Sequence, residues 1–114
     1  MKDNIILVKS FDFALIIIKL YSTLVEQKEY VLSKQLLRSG TSIGANVEEA
    51  TAAQSRKDFI SKMSIASKEA RETRYWLRLL QKSQFVKIDY STYLNDIEEI
   101  IKIITAIVKS SQNN

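Results

Sequence analysis

Cysteine, histidine and proline do not occur in this sequence, and glycine occurs only twice. Without cysteine or histidine the chain forms no disulfide, offers no thiol nucleophile or imidazole base, and lacks the ligands of the common zinc sites. Missing cysteine accords with a reducing compartment, and the cytoplasm is the expected location. Glycine and proline punctuate turns and strands, so their scarcity predicts a few long helices joined by short connections. Long apolar runs are absent too. The longest, Phe13–Ile18, falls well short of the roughly 20 residues of a membrane span. Asp3, Lys9 and Asp12 interrupt the region where a secretory signal would be apolar. No membrane partner is expected.

What remains is ordinary globular material: 46% hydrophobic and 26% charged over 114 residues, enough for one domain spanning residues 1–114 with a real core. The apolar residues recur with helical spacing. Ile6, Phe13, Ile17, Leu20 and Leu24 predict a helix over about 4–27. Leu15, Ile16 and Ile18 lie off that seam, which suggests more than one packing partner. Val31, Leu32, Leu36, Ile43, Val47 and Ala50 predict a second helix over about 28–53, with Ser39 where an apolar residue would fall. Phe59, Met63, Ala66, Ala70, Thr73, Leu77 and Leu80 step four and three apart without a miss, giving a third over about 55–83. Ser55 is its N-cap, with Asp58 in the first turn. Leu94, Ile97, Ile101, Ile104 and Val108, widened by Tyr93, Ile100 and Ile107, give a fourth over about 90–111, capped by Asp89 or Ser91. The expected fold is all-α, an antiparallel up-down four-helix bundle.

Both glycines, Gly40 and Gly44, fall in the small-residue stretch Gln35–Ala53. Each costs a helix about 1 kcal/mol relative to alanine. Either close helix approach recovers that cost, or residues 39–42 break the helix and Ser42 caps a second piece. Catalytic readings of the stretch fail. Gly40-x-x-x-Gly44 lacks the Gly-Lys-Ser/Thr ending of a phosphate-cradling loop. Glu48 and Glu49 are adjacent and point apart, and the Glu-x-x-His pairs of di-metal bundles are missing. We expect no enzymatic activity, no cofactor and no metal.

Net charge is +4, and its distribution is uneven. Residues 1–27 and 28–54 each hold three basic and three acidic groups. Residues 55–86 hold eight basic against three acidic, or +5, and residues 87–114 hold three against four, or −1. On a helical wheel Arg56, Lys57, Lys68, Arg71, Arg74, Arg78 and Lys82 share one flank of the third helix with Tyr75. Asp58, Glu69, Glu72 and Trp76 share the other, with Ile65 and Leu79. The basic flank suits phosphate binding by counterion release, and the Trp76 flank suits burial against another subunit. The same basic stripe is also what an ordinary solvated helix face presents. Surface pairs Glu69–Arg74 and Glu72–Arg71 are expected on this helix, each contributing little.

QLLRSGTSIGANVEEA (Gln35–Ala50) and DFISKMSIASKEARETRYWLRLL (Asp58–Leu80) closely resemble the bacterial four-helix-bundle family of proteins encoded in 23S ribosomal RNA intervening sequences. The likeness covers Lys9-Ser10, the Leu20-Tyr21 region and most of Leu32–Leu80. It extends more distantly to the accessory protein of diversity-generating retroelements. The resemblance implies an up-down bundle, a homo-oligomeric ring (a pentamer, by similarity to relatives) and RNA or DNA binding through basic surface. The distant relative partners a reverse transcriptase, which makes a reverse transcriptase-like protein one candidate partner. The family has no catalytic residues to carry over. Two functions remain: a nucleic-acid-binding accessory protein acting through the basic flank, with Gly40, Gly44 and Trp76 serving packing and assembly, or a scaffolding module whose basic flank meets an acidic protein surface.

Overall fold

The computed structural model describes the backbone of residues 2–113 and the side chains of residues 5–113. Its helices are α1 (Lys2–Glu26), α2 (Leu32–Thr51), α3 (Arg56–Ser83) and α4 (Ser91–Gln112). The connections at 27–31, 52–55 and 84–90 are short, so successive helices run antiparallel. Each helix packs on its neighbour in sequence, α4 closes more loosely on α1, and among the described residues diagonal helices do not meet. The bundle measures 46 × 20 × 19 Å, a length that matches helices of 20 to 28 residues at 1.5 Å per residue.

The heptad seams are the core. Ile6, Phe13, Ile17, Leu20 and Leu24 are buried, and Ser10 fills the gap in their spacing with its hydroxyl donating to the Leu7 carbonyl. On α3 Met63, Ala66, Ala70, Thr73, Leu77 and Leu80 are all buried. The inward stripe of α4 is turned slightly from the expected seam: Ile97, Ile100, Ile101, Ile104 and Ile107 are buried, while Leu94 and Val108 are half-buried. Ser39 needs no apolar replacement, because its hydroxyl lies 2.9 Å from that of Thr73 across the α2–α3 contact. Both hydroxyls also reach a carbonyl on their own helix.

α2 begins four residues later than its periodicity suggests, and the cause is local. Lys28 takes a left-handed φ of 68° and turns the chain out of α1. The buried Glu29 carboxylate then accepts the backbone N–H groups of Val31, Leu32 and Ser33. These are the orphan donors of a helix N-terminus, and the negative charge also suits the positive end of the helix dipole. Val31 is left 71% exposed rather than on the core seam. The start of α3 follows the expected signal. Ser55 Oγ accepts the Asp58 N–H at 3.0 Å, whereas the N-cap of α4 is Tyr90, which makes no side-chain cap bond, and Asp89 just before it accepts the Ser91 N–H at 2.9 Å. Gln84 ends α3 in the left-handed region. Beyond it Tyr90 closes this end of the core, fully buried with its hydroxyl donating to the Val86 carbonyl.

Both glycines lie inside an unbroken α2, so the break at residues 39–42 does not occur. A Cβ on Gly40 would sit 2.9 Å from Ile17 Cγ2, and one on Gly44 would sit 3.3 Å from the Ser10 carbonyl oxygen. The small residues therefore bring α1 onto the backbone of α2. Burying the Ile17 side chain contributes about 1.5–3 kcal/mol, comparable to the roughly 2 kcal/mol of helix propensity that the two glycines forgo.

Gly44 provides a direct test of that close approach. Gly44→Ala adds helix propensity against a tight contact and should change stability by less than about 1 kcal/mol. Gly44→Leu must displace the α1 backbone and should cost about 3 kcal/mol or more. Urea denaturation followed by circular dichroism measures both, and equal stabilities for the leucine variant and wild type would refute the packing account.

Candidate functional site

α3 is the longest helix, and α2 and α4 pack on its two sides. Its acidic flank faces α2. There the Arg38 guanidinium reaches Glu69 at 3.4 Å and also bonds Glu72. Lys62 pairs with Glu49 of α2 at 2.9 Å. Trp76 is half-buried against the core, donates its indole N–H to Glu72 at 3.0 Å, and stacks edge-to-face with Tyr75 at 5.1 Å. The expected pairs Glu69–Arg74 and Glu72–Arg71 do not form. Both carboxylates turn to Arg38 instead, because one guanidinium fork can serve two acids that lie a turn apart.

The basic flank faces α4 and solvent. Arg74 bonds Glu98 of α4 at 2.6 Å, and Arg71 approaches the Thr105 hydroxyl at 3.4 Å. Arg56, Lys57, Lys68, Arg78 and Lys82 are exposed, and among the described residues no carboxylate pairs with them or with Arg71. Tyr75, 52% exposed, stands beside these cations. Of the seven basic residues read from the sequence, Arg74 is thus already neutralised inside the chain.

The sequence reading missed contributions from outside α3. A groove between α3 and α4 is lined by Ser64, Ser67, Arg71, Thr105, Val108 and Lys109. Thr105 and Lys109 lie four apart and so share a face of α4, a spacing visible in the sequence. Which neighbour that face meets is not visible there. Gly40 and Gly44 lie elsewhere, at the α1–α2 contact. Among the described residues no cluster of three or more acidic residues could hold a metal ion, and no helix is long and apolar enough to cross a membrane.

Glu98 reports on the field of this flank. The hydrogen bond from Arg74 holds its carboxyl below the usual glutamate range, with the charges of Arg74, Lys102 and Arg71 adding to the effect and desolvation opposing it. A depressed folded pKa stabilises the fold above the ordinary value near 4.5, and that stability is lost as pH falls through the folded pKa. The contribution is small, because the carboxylate is half-exposed and screened. Carboxyl-carbon NMR should show Glu98 titrating below the usual glutamate range, and Arg74→Gln should move it upward. An unchanged Glu98 titration in that variant would contradict the pairing.

The 23S rRNA-intervening sequence protein family matches residues 2–106. A crystal structure from Bacteroides thetaiotaomicron, described as a protein of unknown function from the S23 ribosomal protein family, is 55% identical to this chain. The alignment covers 96% of this chain and 99% of that one, with a TM-score of 0.92. A comparison with curated proteins returns no match.

Proposed function

The chain belongs to the 23S rRNA-intervening sequence protein family, and from that premise we propose a non-enzymatic, homo-oligomeric accessory protein that binds RNA or DNA through the basic flank of α3. The observation that carries this reading is the separation of charge on that helix. Glu69 and Glu72 are engaged by Arg38 on one side, leaving Arg56, Lys57, Lys68, Arg71, Arg78 and Lys82 without a carboxylate partner among the described residues on the other. Phosphates drawn to such a flank release condensed counterions, and affinity then falls steeply with salt. Tyr75 adds an aromatic face on which an unpaired base can stack.

The oligomeric part of the proposal rests on α1. Val8, Phe11, Leu15 and Ile18 are 60%, 59%, 49% and 47% exposed and step three, four and three apart. They form a second heptad seam on the face opposite the buried one. Within its own chain α2 and α4 pack on α1 and cover the inner seam, while the outer one stays exposed. A second copy of the chain covers the outer seam in this reading.

Charge reversal tests the first part. Lys68→Glu, Arg71→Glu and Arg78→Glu together should abolish oligonucleotide binding while circular dichroism and Tm stay near wild type. Wild-type protein that shows no salt-sensitive binding would sink the proposal. For the second part, wild type should run as an oligomer in light scattering coupled to size exclusion. Leu15→Glu should release folded monomer, and a monomeric wild type would rule the assembly out.

A further inference from the structure

The groove between α3 and α4 differs in chemistry from three others among the described residues. The one between α1 and α4 is lined by Asp12, Asp96 and Glu99 with Lys9, which is paired to Glu99, and the one between α1 and α2 includes Glu48. A fourth, lined by Ile5, Ile103, Ala106 and Ile107, is apolar. The α3–α4 groove holds Arg71 and Lys109 from facing helices, the hydroxyls of Ser64, Ser67 and Thr105, and no carboxylate. The nearby acid Glu98 is already bonded to Arg74. Two cations, three hydroxyls and the Gln112 amide therefore line one groove, and among the described residues no carboxylate lines it.

We propose that this groove is a subsite for a single phosphate group. The reading of a nucleic-acid partner supplies the source of that phosphate, as a backbone phosphodiester, and the groove fixes where on the flank it is held. The donors suit the task. Arg71 presents a planar fork that can bind two phosphate oxygens together, and Lys109 adds a compact charge from the opposite wall. The Thr105 hydroxyl, 3.4 Å from the Arg71 guanidinium, holds that fork toward α4. Ser64 and Ser67 lie one turn apart on the same wall and can donate to the remaining oxygens.

A diffuse basic flank and a built subsite differ in what they recognise. The flank responds to charge alone. Several hydroxyl donors spread over one groove suit the separate oxygens of a tetrahedral oxyanion better than a single spherical ion, so phosphate should be preferred over chloride at equal ionic strength. Removing hydroxyls should also cost affinity without altering the number of counterions released.

The test combines NMR with oligonucleotide binding. Inorganic phosphate, titrated against chloride at matched ionic strength, should shift the resonances of Ser64, Ser67, Arg71, Thr105 and Lys109 selectively. Replacing both Ser64→Ala and Ser67→Ala, which lie outside the core, should weaken oligonucleotide binding about fivefold or more with an unchanged salt slope. Lys109→Gln should lower that slope by about one. Identical shifts with phosphate and chloride, or wild-type oligonucleotide affinity in the double serine variant, would overturn the subsite and leave the nucleic-acid reading standing. Groove-confined phosphate shifts in a protein that binds no oligonucleotide would overturn that reading instead, leaving a subsite for free phosphate.

Discussion

The close approach of α1 to α2 at Gly40 and Gly44 is the constraint on which the arrangement depends. A Cβ at Gly40 would press on Ile17, and one at Gly44 would meet the Ser10 carbonyl oxygen. With both absent, α1 settles against the α2 backbone and sends its buried seam from Ile6 to Leu24 into the core. That placement also leaves the Val8–Ile18 seam facing outward. One contact thus decides which face of α1 serves the fold and which stays exposed.

Electrostatics divides α3 in a parallel way. α2 brings a single arginine, Arg38, within reach of Glu69 and Glu72. α4 brings a single acid, Glu98, to Arg74. Exposed ion pairs of this kind add little stability. Their larger effect is on what is left over: the acids of α3 are used, most of its bases are not, and Lys109 and Thr105 of α4 join the unmatched side. The field next to α3 originates in the +5 charge of residues 55–86, and helix pairing decides which of its bases are matched.

The places where sequence reasoning succeeded and failed have physical explanations. Ser55 was legible as a cap because a serine followed by an acid three residues later is a local arrangement. Glu29 was not, because a glutamate lying before the helix reaches its N–H groups only once Lys28 has turned left-handed. The α3 ion pairs were misassigned for a similar reason. Spacing along one helix predicts partners within that helix, whereas Arg38 comes from 31 and 34 residues away. Tyr90 and Val86 escaped as core residues because they lie in a connection, where periodicity has nothing to say.

By itself the sequence determined the helix number, their order, the buried seams of α1 and α3, and the presence of a one-sided basic flank, because each follows from the 3.6-residue period of a single helix. The small residues around Gly40 and Gly44 were visible too, with two meanings. Only the tertiary structure decided that they pack a continuous helix against Ile17 and Ser10, that Arg74 is spent on Glu98, and that Arg71 and Lys109 share one groove. Each of these depends on which face of a helix meets which neighbour, and that rotation is set by core packing across the whole bundle rather than by any one segment.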